Sequence, residues 1–392
     1  ESPLEISKNI TIRGSDDMPV VISGNGQCQV FIVRESYSPK FEFIDIVQGY
    51  GYYGGGVECM EGSSPVFSNC SFSGNSAVQC GGGIYAGYNT NLVMTDLVFS
   101  GNSANEGGGF YIQYSGNASL HNMVFTDNNA NYSGGAIYSS ANALELRDIL
   151  ISSNHSQYHG GGLYLYNGEV NAKNLTVVSN SVDAPEGSGG GINCGYGSIR
   201  LENCAISNNI SNGRGGGIYF EYGSNTEFCC TARCDIFDNE APEGSDLYAQ
   251  NLVDVVVDRF TVLYPNYLHA SPFENFTFDI LHGVNAQVDA DMYISPRGDN
   301  HNSGLSPDLP KKTISGALSI LSTQKQHTLY LDKGEYSANS NGERFPVILP
   351  DRVSLEGHPE FATVLDATGK SEAIRISHAN QVNISGLTIT GA

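Results

Sequence analysis

The 392-residue chain has no tryptophan, only 14 prolines, and 19 lysines and arginines against 41 aspartates and glutamates. No apolar run approaches the length of a transmembrane helix, and no secretory leader is visible. Between Gly54 and Gln250 there are 18 acidic residues and five basic ones, Arg147, Lys173, Arg200, Arg214 and Arg233. With a formal net charge of −22, such a surface repels phosphate backbones and anionic headgroups. This argues against nucleic acid as a partner and against membrane insertion. The nine cysteines are odd in number and form no C-x-x-C pair, which argues against a disulfide scaffold or a zinc site.

Glycine, at 47 residues, is abundant, and its placement is periodic. Gly81-Gly82-Gly83-Ile84-Tyr85 returns as Gly107-Gly108-Gly109-Phe110-Tyr111 and Gly134-Gly135-Ala136-Ile137-Tyr138. The block then recurs from Gly160, Gly189 and Gly215, at a nearly constant step. A fixed period of this size marks stacked repeats. A second motif lies between the blocks: Phe72, Phe99, Phe125, Ile151, Val177 and Ile206 each stand three places before Asn75, Asn102, Asn128, Asn154, Asn180 and Asn209. Two places before the Phe/Ile stand Cys70, Leu97, Met123, Ile149, Leu175 and Cys204 on the same strand face. Before these comes a polar column, Asn69, Asp96, Asn122, Asp148, Asn174 and Asn203, which marks a turn between two short strands. Each repeat thus predicts one coil: a strand at the glycines, a second such as Leu92–Met94, an Asx turn, a third such as Leu97–Phe99, and a returning loop. One such coil cannot bury its apolar side alone, whereas stacked coils can. The expected fold is all-β, a right-handed parallel β-helix with coils of about 26 residues. Both Asn/Asp columns become structural ladders, coil to coil. An antiparallel sandwich would not produce these columns. Most cysteines fall at core positions, and Cys204 and Cys234 lie in adjacent coils, close enough to bridge.

The domain reading places the solenoid at 1–250 and a C-terminal cap and linker at 251–291. A small α/β lid with a short helix from Thr313 to Leu321 follows at 292–345. The first coils of a second β-helix occupy 346–392. Pro346–Gly357 matches Pro3–Gly14 position for position, Thr363–Asp366 lies close to Val20–Ser23 at the same offset, and Asn383–Ala392 is like Lys40–Gly49. This duplication predicts Glu1 as an internal start and a longer natural polypeptide. It also predicts partners of its own kind, through head-to-tail self-association or covalent tandem continuation, ending in a linear array.

The Gly-Gly-Gly/Ala-Ile and Phe-x-x-Asn motifs, over roughly 54–250, resemble those of the chlamydial polymorphic outer-membrane proteins and related right-handed β-helix surface proteins. The run from Tyr293-Ile294-Ser295-Pro296 through Lys312–Leu318 to Gly334-Glu335-Tyr336 resembles an uncharacterised module that opens many pectin-lyase-like β-helix proteins of bacterial surfaces. The resemblance implies a location outside the cell. It leaves function open, because that superfamily mixes lyases, hydrolases, adhesins and structural fibres.

The outward feature that stands out is tyrosine. Tyr85, Tyr111, Tyr138, Tyr164, Tyr219 and Tyr248 follow the inward Ile/Leu/Phe, and Tyr88, Tyr114, Tyr196 and Tyr222 form a second, partial stripe. Stacked at strand spacing they predict a flat, exposed aromatic face for glycans or a partner protein. No catalytic residue is assigned. A polysaccharide lyase would need a carboxylate cluster with an Arg or Lys on one face, yet Asp96 and Asp148 alternate with Asn and no Arg repeats in register with them. A hydrolase pair can be drawn at many places in a stack. His159-Gly160-Gly161-Gly162 lacks the G-x-S-x-G of an esterase, and Arg297-Gly298-Asp299 reads as turn chemistry. No cofactor or metal is assigned, with calcium the one ion the carboxylates leave open.

Overall fold

The structure is a computed structural model that describes residues 2–15, 20–369, 371–376 and 380–392; Glu1 lies outside them. It divides into two compact units. The first comprises Glu1–Ala241, Ser245–Arg259 and Glu274–Leu281. The second comprises Pro242–Gly244, Phe260–Phe273 and His282–Ala392. The fold is a right-handed parallel β-solenoid with ~26 residues per coil.

In the first unit the coils build parallel sheets, two running along the array and a third confined to the coils between Tyr50 and Ser211. In the first sheet Ile84, Phe110, Ile137, Leu163, Ile192 and Ile218 stand in register. In the second, Leu97, Met123, Ile149 and Leu175 do the same, all buried in one inward column. Beside them Phe72, Phe99 and Phe125 stack ring on ring, with centroids 4.6 and 4.7 Å apart.

Two details differ from the sequence reading. In four coils the two short strands are one ten-residue strand, such as Asn91–Ser100 or Asn117–Thr126, whereas in others they stay separate, as Val66–Ser68 and Ser71–Ser73 or Ser198–Glu202 and Ala205–Ser207. The polar column bends the long strand rather than ending it: Asp96, Asn122, Asp148 and Asn174 all take left-handed backbone angles, φ 52 to 57°, which Asn and Asp tolerate best. The returning loop is a third sheet of seven strands, among them Ser103–Glu106 and Asn129–Ser133. Its inward residues are small, Ala77, Ala104 and Ala130, because the glycine segment presses directly on its backbone. A Cβ on Gly108 would meet the Asn129 carbonyl oxygen at 2.5 Å and that of Gly135 at 2.4 Å. With no room for large side chains, the strand carries no hydrophobic alternation. The strand Val253–Phe260 also joins the second sheet, so coil stacking continues past residue 250, where the glycine motif ends.

In the second unit Met292–Ile294 and His327–Leu331 pair in parallel and the latter continues onto Val353–Gly357. The helix is shorter than expected, Ile314–Leu318, and Thr313 caps it by accepting from the Gly316 N–H. Ile314, Ala317, Leu318 and Leu321 are buried in one cluster with Leu329, Val353, Leu355 and Leu365, so the helix lies over the core of the first coil there. Glu343 fixes its start, accepting from the N–H groups of Ile314 (2.7 Å) and Ser315 (3.1 Å).

The internal duplication extends to strand pairing. Ile12 pairs with Phe41, and Leu355 with Ile384; Val21 pairs with Asp45, and Val364 with Thr388; Phe31 pairs with Leu4, and Ile374 with Val347. In each case the second pair is the first moved by the offset that carries Pro3 onto Pro346.

Candidate functional site

The inner asparagines are buried and joined in one directional chain. Each donates through its backbone N–H and Nδ2 to the Oδ1 of the next: Asn75 to Asn102, then to Asn128, Asn154, Asn180, Asn209 and Asn239. The chain ends on Asp246, whose carboxylate accepts from Asn239 Nδ2 at 3.1 Å. An amide must donate and accept, whereas a terminal carboxylate need only accept. Each Nδ2 also donates to a strand carbonyl, as Asn128 does to Phe99 (3.0 Å). The outer column is exposed, apart from the half-buried Asn174, and joined more loosely. Asn122 donates to Asp96, Asn174 to Asp148 (2.7 Å) and Asn203 to Asn174 (2.8 Å), and His121 faces Asp148 at 3.2 Å. Asn69 occupies the same left-handed turn.

The tyrosine column does leave the core face of its strand, but it is not an open aromatic surface. Tyr85, Tyr111, Tyr164 and Tyr219 are buried, Tyr85 being 8% exposed, and Tyr138 is half-buried. The rings lie on one another: Tyr53, Tyr85, Tyr111 and Tyr138 stack with centroids 4.7, 5.6 and 4.7 Å apart and planes within 26°. Their faces are consumed by each other, so only edges point outward. On one flank Gly81, with φ +68°, folds back so closely that a Cβ would meet the Ile84 carbonyl oxygen at 2.3 Å. That fold brings Cys80, and in the following coils Glu106, Ser133 and His159, alongside the rings. On the other flank Tyr85 donates to Gln113 Oε1 at 2.6 Å. The expectation of a flat tyrosine face at Tyr85, Tyr111, Tyr138, Tyr164 and Tyr219 is therefore corrected. Rings of the neighbouring coils and the folded-back glycine segment, invisible to a period-2 reading, cover it.

The burial shows in the acid–base properties. Desolvation raises the phenols of this column, Tyr219 to about 12, and the Cys80 thiol to about 12, beside Glu106. Burial also raises the carboxyls of Glu106 and Glu221 above the usual carboxylate range and lowers His159.

Exposed tyrosines instead occupy the turn after the first sheet: Tyr88, Tyr114, Tyr196 and Tyr222, joined by the half-buried Tyr166. Tyr166 meets Tyr114 and Tyr196 at 82° and 76°, with centroids 6.1 and 5.9 Å apart.

One charged cluster escaped the sequence reading. On the second sheet's outer face Arg147, Lys173 and Glu202 stand in register, and beside them Asn171, Arg200 and Glu227. These positions lie one and three places before the outer Asn/Asp column, so aligning further columns would have found them. Lys173 pairs with Glu202, Arg200 with Glu227, and Arg147 with Glu145 at 2.9 Å. Glu145, Arg147, Lys173, Arg200 and Glu202 line a shallow pocket of about 110 Å³. Such exposed pairs contribute little to stability, because solvent and salt screen them. Among the described residues no three His, Cys, Asp or Glu side chains are placed to hold a metal ion, and no helix is long and apolar enough to cross a membrane.

The family profile described as right handed beta helix region matches residues 5–149 and 55–232. These spans cover more than half of the chain, which therefore belongs to the right-handed β-helix family. Residues 297–364 match a family described as a protein of unknown function, DUF1565. No curated protein and no solved structure matches the chain.

Proposed function

We propose that this chain is an extracellular structural or adhesive surface protein built of tandem β-helix modules, which bind glycans or partner proteins through exposed tyrosines. The observation that carries this reading is the displaced copy: the strand registers of the coils from Pro3 return from Pro346 onward. A solenoid followed by a lid and a copy of its own early coils suits a repeating array of modules, joined covalently or head to tail.

The second reading, a polysaccharide lyase or glycoside hydrolase, draws on the pocket where Arg147, Lys173 and Arg200 meet Glu145 and Glu202. Treating intact source cells with a membrane-impermeant amine-labelling reagent separates location from chemistry. Labelling before lysis is expected. A protein labelled only after lysis contradicts the surface reading, and release of reducing ends or unsaturated sugars that is lost in Lys173→Ala contradicts the non-enzymatic one.

A further inference from the structure

The turns that join the first sheet to the second form a rim beside the buried tyrosine column. From residue 60 to residue 252 these turns carry Tyr88, Tyr114, Tyr166, Tyr196 and Tyr222 and no lysine, arginine or histidine; their only charges are Glu61 and Glu221. We propose that this rim binds an uncharged polysaccharide chain running along the solenoid axis, with Tyr114 and Tyr196 as its stacking platforms. The proposal rests on the surface-binding reading above and names its ligand class and its place.

Three observations carry it. First, no rim pair stacks face to face: Tyr166 touches Tyr114 and Tyr196 edge-on, and Tyr196 is 59% exposed. Edge-to-face contact takes at most one face of each ring, so each platform keeps a face for the apolar side of a sugar ring, unlike column rings such as Tyr111, which are stacked on both sides. Tyr114 and Tyr196 are three coils apart, and because both rings lean on Tyr166, at 6.1 and 5.9 Å, their centroids are no more than 12.0 Å apart, a span suited to a short stretch of sugar chain. Second, a notch of about 10 Å³ lies beside Tyr196, between its turn and that of Tyr166, where Asn167, Ser198 and glycine backbone stand over an apolar floor that includes Leu165 and Val170. That is about the volume one water needs, so it adds a polar contact at the edge of the Tyr196 platform and not a subsite. Third, the charge selects. A chain of carboxylated or sulfated sugars would find no cation on the rim and a strongly acidic molecule behind it, whereas an uncharged polyol meets no such repulsion.

The test uses the whole chain in native affinity electrophoresis, with hydroxyethylcellulose, a galactomannan, a mixed-linkage glucan and polygalacturonate as separate gel additives. Retardation by at least one neutral polymer is expected, little changed by added salt because no charge pairing is involved. Tyr114→Ala/Tyr196→Ala should weaken it roughly tenfold or more, as loss of an aromatic anchor does, with an unchanged melting temperature because both rings are exposed. Retardation only by polygalacturonate, retardation that the double variant retains, or none with any additive would overturn the proposal. Surface labelling of intact cells is independent of all three, so failure here is distinct from failure of the surface reading.

Discussion

Asn102 and Asn128 are joined twice: the backbone N–H of Asn102 donates to Asn128 Oδ1 at 3.1 Å and its Nδ2 to the same oxygen at 2.9 Å. Both residues are buried, so one amide settles two donors of the coil before it and, through its own Nδ2, the Phe99 carbonyl and the coil after it.

Asn128→Ala should therefore strand several buried polar groups at once. Each unsatisfied group costs about 1–3 kcal/mol, and a loss of about 3 kcal/mol or more is expected in denaturant unfolding. Asn122→Ala, on the exposed outer column, should lose only about 1–2 kcal/mol, mainly for the left-handed backbone, and Asn122→Gly should recover most of it. Equal losses at both positions would show that the inner ladder is no more than a turn.

Gly108→Ala should destabilise by at least about 2–3 kcal/mol, because its Cβ would press on backbone oxygens that cannot rotate away. Ala136 holds the third position of its own glycine block, so Gly109→Ala should be far milder. Similar thermal midpoints for the two variants would contradict the contact between glycine segment and third sheet.

Glu106 lies against the tyrosine column, and burial raises its carboxyl pKa. A folded-state pKa above the unfolded value favours the protonated form. That contribution is complete below the unfolded carboxyl range, about pH 4, and is lost as pH rises through the folded value. Glu106→Gln should accordingly raise the melting temperature at about pH 7 and change it little at about pH 3.5. The buried phenols follow the same sign at the other end: stability should fall once pH exceeds about 10, where the unfolded tyrosines ionise and the stacked ones resist. A Glu106→Gln melting temperature below wild type at neutral pH would contradict the assignment.

Residues 282–345 placed ahead of Pro3 reproduce the junction that precedes Pro346. This added lid should cover Leu4, Ile10 and Val20, raise the thermal midpoint by several degrees and reduce dye binding to exposed apolar surface. An unchanged midpoint with unchanged dye binding would show that the two opening coils are not equivalent.

How much of this was legible beforehand depended on the kind of signal. Residues with one strongly preferred environment repeat visibly. Met123 and Ile149 share an inward column because strands alternate with period 2. Asn102 and Asn128 recur at one step because only an amide both accepts and donates along a stack. The displaced copy from Pro346 was equally open to reading, since matched apolar positions impose matched registers. Tertiary structure decided whatever depends on neighbours from other parts of a coil. Tyr85 and Tyr196 are the same residue type, each near the same strand. One is buried because Gly81 folds back beside it and Tyr53 and Tyr111 cover its faces; the other stands free on a turn. The third sheet stayed hidden because the close approach of the glycine segments favours small inward residues, Ala104, Ala130 and Ser156 with Val182 the largest, which carry no strong periodic hydrophobic signal. Sequence periodicity therefore determined the coil, its step and its core. The packing of backbone on backbone decided which of the outward residues can be touched.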